Sequence, residues 1–138
     1  MELPAHIIRQ ASQKNLSEFI QFIAEAAETV GFSEERLNEI KIAVEEALVN
    51  IFNYAYPEET GEAIVACRIE HDRQFVIEII DEGEPFDFES IETPDVEADI
   101  SDRQIGGLGI LLIKELMDSV DYRRESGRNI LQLVVKRP

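Results

Sequence analysis

The spacing of apolar residues along the chain predicts three helices. Apolar positions recur at helical spacing through residues 15–30, and Gly31 ends that segment. Ser33 is a residue type favoured at helix N-caps, so a second helix is expected from about residue 34 to 54. A third helix is expected at residues 108–120.

Between these helices, shorter segments alternate apolar and polar residues as strands do. They are expected at residues 5–10, 62–70, 74–81, 121–126 and 129–138, with Gly127 in the last turn. The order is strand, two helices, hairpin, loop, helix and hairpin. It indicates an α+β fold, a two-layer α/β sandwich whose mainly antiparallel mixed sheet carries its helices on one face.

The stretch from residue 81 to 107 interrupts this regular pattern. It is acidic, lacks clear periodicity and contains two prolines. A loop of that length inside a compact domain is usually a lid or a disordered link. We therefore expect one domain over residues 1–138, with a lid at about residues 84–105.

The composition of the chain argues against some classes of binding partner. The 138 residues carry a net charge of −16, which argues against direct binding to nucleic acid or to an anionic membrane. No apolar run approaches the roughly 20 residues of a membrane helix, and residues 1–10 do not resemble a secretion signal. The lone cysteine, Cys67, is expected in the core, and its being alone fits a reducing, cytoplasmic location.

The second predicted helix carries an unusual polar line. Glu46, Asn50 and Asn53 follow each other at about one turn, on the side that we expect to lie opposite the apolar stripe. A solvated face is one interpretation. The other is a functional site, because an amide oxygen suits a hard cation such as Mg²⁺ and a nearby carboxylate suits a base.

Two further segments of the sequence contain candidate ligand-binding residues. Asp81 ends a predicted strand, where it could accept a hydrogen bond from a ligand amine, and Gly83 would let a flat ring approach the backbone. A turn explains the same residues. Gly106, Gly107 and Gly109 lie at the start of the third helix, where exposed backbone N–H groups could bind phosphate, although they could also form a hinge.

Together, EEALVN, DEGEPFDF and GGLGILLIKELMDSV resemble the three boxes of the Bergerat ATP-binding fold. That superfamily of histidine kinase-like ATPases includes gyrase, Hsp90, histidine kinases and MutL. The likeness covers nearly the whole chain. Its short single-domain form resembles the anti-sigma-factor serine/threonine-protein kinases of the RsbW type.

The resemblance implies a role for each matched residue. Asn50 would bind the Mg²⁺ that bridges the ATP phosphates, and Glu46 would be the catalytic base, with the adjacent Glu45 ranked second. Asp81 would accept the adenine amine, with Gly83 beneath the ring.

The glycine-rich segment would surround the phosphates. It comprises Gly106, Gly107, Leu108 and Gly109, and Arg103 would assist in neutralising phosphate charge. This chain departs from the family twice. Ile105 stands near the place where some members have a lid arginine, and Tyr54 stands where related kinases often have histidine.

The resemblance also implies partners. They are a STAS-domain anti-anti-sigma protein as phosphoryl acceptor, a sigma factor that is sequestered, and a second copy of the chain in a homodimer. Three alternatives stay open: a nucleotide-binding regulatory module with little or no kinase activity, a histidine kinase fragment, and a metal hydrolase. A histidine kinase fragment needs a phosphoacceptor histidine on a helix, whereas His6 is predicted on a strand and His71 in a turn. A metal hydrolase needs a cluster of His or Cys ligands, which the sequence lacks.

Overall fold

The computed structural model describes residues 6–57, 60–85 and 105–138. Within them the chain forms three α-helices and five strands. The helices are α1 (Leu16–Val30), α2 (Glu34–Tyr54) and α3 (Ile105–Leu116), and a 3-10 turn at Gln13–Asn15 precedes α1. The strands are β1 (His6–Gln10), β2 (Glu62–Glu70), β3 (Gln74–Asp81), β4 (Ser119–Glu125) and β5 (Arg128–Lys136).

The five strands form one sheet in the order β1-β2-β3-β5-β4. Every described pair of neighbouring strands is antiparallel. The predicted α+β fold is confirmed. The prediction of a mixed sheet is not, since these strands contain no parallel pair. The two hairpins turn through residues with positive φ. These are His71 and Asp72 in one hairpin, and Ser126 and Gly127 in the other, as type I′-like turns require.

The core lies between one face of the sheet and the three helices. The sheet contributes alternate residues of its three central strands, namely Ala63, Val65, Cys67, Phe75, Ile77, Ile79, Leu131, Leu133 and Val135. Cys67 is 4% exposed, which confirms its core position, and burial raises the pKa of its thiol to about 11. The helices face this layer with residues such as Phe19, Ile40 and Ile113.

The ends of the first two helices follow the sequence signals. Gly31 adopts a left-handed φ of 102° and its N–H bonds the carbonyls of Ala27 and Glu28. Ser33 caps α2 by accepting a hydrogen bond from the Arg36 N–H at 3.1 Å. Local chemistry therefore fixes both boundaries.

The third helix lies about three residues earlier than expected. It begins at Ile105 and ends at Leu116, and Ser119 and Val120 belong to β4 rather than to the helix. Ser119 and Val120 pair with Val134 and Leu133 of β5. Sheet pairing therefore determines the structure there, and it overrides the apolar periodicity that extended the predicted helix.

Candidate functional site

A cavity opens between α2, the end of β3, β5 and α3. It encloses about 520 Å³ including its open mouth. The exposed surface of its wall is mostly apolar, although six of the lining residues have polar side chains. The lining residues are Ala47, Asn50, Ile51, Tyr54, Ala55, Ile79, Asp81, Glu84, Pro85, Ile110, Tyr122, Asn129 and Leu131. An apolar slot with a few convergent polar groups is the usual form of a small-molecule site.

Asp81 forms one polar end of this cavity. It is the last residue of β3 and is 4% exposed. Its Oδ1 accepts hydrogen bonds from the Gly83 N–H at 2.9 Å and from Asn129 Nδ2 at 2.8 Å. Its Oδ2 accepts no hydrogen bond from the part of the chain that the structure describes. One carboxylate oxygen is thus held by the protein, and the other is available to a ligand donor.

Opposing influences act on the pKa of Asp81, and the one that raises it is the largest. Burial raises the pKa of this carboxyl, while the hydrogen bonds from Asn129 and Gly83 and the nearby Arg124 guanidinium oppose that rise. An ionised carboxylate is a pure hydrogen-bond acceptor. The hydrogen bonds and Arg124 therefore favour the acceptor form of Asp81, against the larger opposing effect of burial.

Asn129 is the residue of this site that the sequence analysis missed. It is 5% exposed and pairs directly with Asp81 across the β3–β5 ladder. The signal was present, because Asn129 stands in the same alternating series as the core residues Leu131, Leu133 and Val135. A polar residue at an inward position of a central strand needs a polar partner, and here that partner is Asp81.

Gly83 has a structural reason to be glycine. A Cβ at this position would lie 2.1 Å from the Ala55 carbonyl oxygen, at the end of α2. The next residue, Glu84, donates its N–H to the same carbonyl at 2.7 Å. The chain after β3 is thus pressed against α2, and it is this contact, rather than a ligand ring, that requires the missing side chain in the described structure.

Asn50 lies further along α2 and lines the same cavity. It is half-buried, beside the apolar residues Ala47 and Ile51. Asn50 therefore flanks the apolar stripe of α2. The prediction that it lies on the opposite side of the helix is wrong. Its Nδ2 is inaccessible to solvent and has no hydrogen-bond partner among the described residues. An unpartnered buried polar atom costs roughly 1–3 kcal/mol, which a ligand that engages the amide would offset.

The other polar residues of α2 differ in environment. Glu46 is half-buried one turn before Asn50 and is not among the cavity-lining residues, while Glu45 and Asn53 are exposed. Tyr54 lines the cavity. Of the line predicted from sequence, the structure brings Asn50 into the cavity, places Glu46 nearby and leaves Asn53 in solvent.

The backbone of α3 starts with the glycine-rich segment. Gly106, Gly107, Leu108 and Gly109 all lie within its first two turns, and Ile110 follows as a cavity-lining residue. The first four N–H groups of a helix lack partners within it. Because Ile110 lines the cavity, the first turns of α3 lie beside it. Arg103 and most of the predicted lid lie outside the described residues.

The described residues contain no cluster of three or more His, Cys, Asp or Glu side chains able to hold a metal. The amide oxygen of Asn50 is a neutral metal ligand. Such a ligand suits a cation that takes most of its other ligands from phosphate and water, as Mg²⁺ commonly does. In the same part of the chain, no helix is long and apolar enough to span a bilayer.

Comparison with known proteins gives a consistent result. A family model described as histidine kinase-like ATPase domain matches residues 10–135. A serine-protein kinase RsbW of Bacillus cereus is 32% identical over 113 residues, covering 79% of this chain and 70% of that protein. The RsbW of Halalkalibacterium halodurans is 36% identical over 105 residues, covering 73% and 64% respectively.

A solved structure supports the same fold. It contains the RsbU and RsbW domains of Rv1364c from Mycobacterium tuberculosis, and it matches 96% of this chain with a TM-score of 0.64 at 15% identity. This chain spans 32% of that longer one. The protein therefore belongs to the histidine kinase-like ATPase family, and within it to the RsbW type, as the three sequence boxes indicated.

Proposed function

We propose that the protein is an ATP-dependent protein kinase that phosphorylates a serine or threonine of a STAS-domain anti-anti-sigma protein and sequesters a sigma factor. The observation that carries the proposal is the cavity in which Asp81 and the unpartnered Asn50 amide face one apolar slot. An aminopurine fits the Asp81 end, because its ring is flat and its exocyclic amine is a donor. The serine-protein kinase names of the relatives support the reaction type.

The phosphate end of the proposed site must overcome the charge of the protein. At −16, the chain repels a nucleotide triphosphate unless the phosphates are neutralised locally. Asn50 would hold a Mg²⁺ ion, which supplies that neutralisation when bound, and the N–H groups of Gly106, Gly107 and Leu108 would contribute partial positive charge. Arg103 stays a candidate for the same role.

Glu46 is the proposed catalytic base. It precedes Asn50 by four residues on α2, so both side chains lie on neighbouring turns of one helix. A half-buried carboxylate next to the phosphate end could orient and deprotonate a substrate hydroxyl. Phosphoryl transfer depends mainly on such positioning and on charge stabilisation.

Calorimetric titration of ADP and ATP, with and without Mg²⁺, tests the nucleotide site. We expect Mg²⁺-dependent binding to the wild type that weakens in Asn50→Ala. Asn53→Ala is the matched control, since Asn53 is exposed on the same helix. If the folded wild type binds neither nucleotide, the proposed ATP site is wrong.

The protein partners need a separate test. Incubation with labelled ATP and a co-purified STAS-domain protein should transfer label to a serine or threonine of that protein. Nucleotide binding without any transfer would instead support the alternative function, a nucleotide-binding module that acts on a non-sigma partner. A strongly acidic protein is suited to capturing a basic sigma factor in the cytoplasm.

We also propose a homodimer, and the outer face of the sheet supports it. Ile8, Ile64, Ile80 and Ile130 are paired neighbours in one row across β1, β2, β3 and β5, and none belongs to the helix-covered core. Ile8 is 41% exposed, and no described helix covers this face. Sedimentation should show a dimer that Ile8→Glu weakens, whereas Ile42→Glu, on an equally exposed isoleucine of α2, should not change the mass.

A further inference from the structure

Asn129 uses its whole amide within the protein. Its Nδ2 donates to Asp81 Oδ1 and to the Glu84 carbonyl, both at 2.8 Å. Its Oδ1 accepts from the Tyr122 hydroxyl and from the Arg124 guanidinium, the latter at 3.0 Å. An amide has two N–H donors and one carbonyl oxygen with two lone pairs. All four capacities are filled, so Asn129 has none left for a ligand although it lines the cavity.

Further hydrogen bonds attach the residues that follow Asp81, where the predicted lid begins, to α2 and to the β4–β5 hairpin. Arg124 also donates to the Gly83 carbonyl at 2.8 Å. Glu84 is held by its carbonyl to Asn129 and by its N–H to Ala55 at the end of α2. The β4–β5 hairpin is therefore tied through Asn129 to the residues that follow Asp81.

The filled amide also has a fixed direction. The Arg124 guanidinium can only donate, so it requires the Asn129 oxygen on its side, where the Tyr122 hydroxyl donates to the same oxygen. The Nδ2 group is thereby placed toward Asp81 and the Glu84 carbonyl. An amide turned the other way would set an oxygen against the Asp81 carboxylate. Arg124 thus determines that Asn129 donates to Asp81, and the Tyr122 hydroxyl adds a second hydrogen bond to the same amide oxygen.

We infer that Asn129 is a positioning residue for base selection. Asn129 is oriented by Arg124 and also bonded by Tyr122, and it donates to one oxygen of Asp81. It thereby keeps the other oxygen a fixed, acceptor-only group that selects an amino-substituted purine over an oxo-substituted one. This rests on the proposed function, because it assumes that an adenine nucleotide occupies the cavity. Asn129 acts through Asp81 and does not contact the base.

Protonation gives the inference a specific consequence. If Asn129 no longer donates, the burial of Asp81 is less opposed and its pKa rises further. A protonated carboxyl can donate to a purine carbonyl, so discrimination between the two purines would be lost as pH falls. Among the described residues, the other ionisable groups near Asp81 are Arg124 and Tyr122 on β4, Glu82 and Glu84 after β3, Tyr54 and Tyr56 at and after the end of α2, and Glu62 on β2.

The experiment measures the affinity ratio of ADP to IDP across about pH 5 to 9. These nucleotides differ in the purine, where the amine of adenine is a carbonyl in hypoxanthine. In the wild type we expect a strong preference for ADP over most of this range. In Asn129→Leu the ratio should fall about tenfold near neutral pH and recover as the pH is raised, as expected for a lost hydrogen bond to a carboxylate.

Asn129→Asp sharpens the test because it keeps the size of the side chain. It retains acceptors for Tyr122 and Arg124 but sets a second carboxyl beside Asp81 Oδ1. Two carboxyls at that distance share a proton, which moves the pH dependence of the ratio to higher pH than in Asn129→Leu. Gln132→Leu and Gln132→Glu are matched controls on the outer face of β5 and should leave the ratio unchanged.

The exposed Arg124 provides a variant that does not depend on changing a buried residue. Arg124→Ala should lower the ADP preference in the same direction by a smaller factor, with folding checked by circular dichroism. If the wild type binds ADP and the variants keep its ratio and pH profile, the inference is wrong while the proposed function stands. If the folded wild type binds neither nucleotide, the proposed function itself fails.

Discussion

The two polar ends of the cavity are built differently. At the Asp81 end, a buried carboxylate is held by Gly83 and Asn129, and Asn129 is in turn held by two residues of β4. At the Asn50 end, a half-buried amide has a buried nitrogen without a partner among the described residues. At the Asp81 end, bonds within the protein hold the carboxylate and leave one of its oxygens for a ligand, whereas at the Asn50 end no described residue holds the buried amide nitrogen.

This difference suits the two ends to different tasks, recognition of a base at Asp81 and binding of phosphate and metal at Asn50. Recognition of a base requires groups fixed before the ligand arrives, because a fixed acceptor discriminates between donors and acceptors on the ring. Binding of phosphate and metal can be completed by the ligand itself, since Mg²⁺ takes ligands from phosphate and water. Substitutions at the two ends should therefore have different signatures, and the following predictions test that expectation.

The largest effect is expected at the phosphate end, in Glu46→Gln. Loss of a general base typically lowers the rate about 10²–10⁴-fold, and the neutral amide should leave nucleotide affinity nearly unchanged. Transfer to the STAS-domain protein and ADP affinity are measured on the same preparation. Glu45→Gln is the control, as Glu45 is the exposed neighbour. Transfer at the wild-type rate in Glu46→Gln would remove Glu46 from the role of base.

At the base end, Asp81→Asn should weaken ADP binding by about 10–100-fold, which corresponds to a lost hydrogen bond to a charged group. The amide can still accept from the Gly83 N–H, but then it presents an NH₂ group to the cavity. Stability should not fall, because burial disfavours the charge that the substitution removes. ADP titration and thermal melting check both parts, with Asp121→Asn on the exposed edge strand as control.

Gly83→Ala tests whether the base end is held by its contact with α2. The new Cβ would lie 2.1 Å from the Ala55 carbonyl oxygen, so the backbone must shift. We expect a loss of about 1–3 kcal/mol in the free energy of unfolding, as for other overpacked sites, together with weaker ADP binding. Chemical denaturation provides the measurement, and Glu82→Ala is an exposed neighbouring control. Wild-type stability in Gly83→Ala would contradict the close contact.

Much of the fold could be predicted from the sequence because local signals were strong. The bounds of α2, β2 and β3 agree with the structure to the residue, owing to the cap at Ser33 and to regular alternation. The strand order was not predictable from these signals, because it depends on long-range pairing. The early start of α3 was missed because two adjacent glycines, Gly106 and Gly107, favour a loop in isolation.

The site was predicted in part for similar reasons. Asn50 and Asp81 were identified because each belongs to a recognisable sequence box, and the structure places both at one cavity. Asn129 lies 48 residues from Asp81, and no local motif connects them. Only the register of β5 against β3 shows that the two are partners. Gly83 was singled out for a ligand ring, which stays a prediction, and the contact with Ala55 that the structure shows is likewise long-range.

The smallest effect is expected from Tyr56→Phe, which tests the outer support of the base end. The Tyr56 hydroxyl donates to the Glu62 carbonyl at 2.7 Å and accepts from the Glu82 N–H at 2.8 Å. Its loss should reduce the free energy of unfolding by about 1 kcal/mol at neutral pH.

The pH dependence of that difference distinguishes the loss of a buried hydroxyl from a general packing defect. Burial raises the pKa of Tyr56 above its ordinary value of 10.0, and the neighbouring carboxylates act in the same direction. The native state therefore favours the neutral phenol, and this contribution is complete below the unfolded-state pKa and is lost as pH rises through the folded-state pKa. The wild type should consequently lose its advantage over Tyr56→Phe in alkaline denaturation. A stability difference that stays constant through that range would indicate that the Tyr56 hydroxyl is not buried beside these carboxylates.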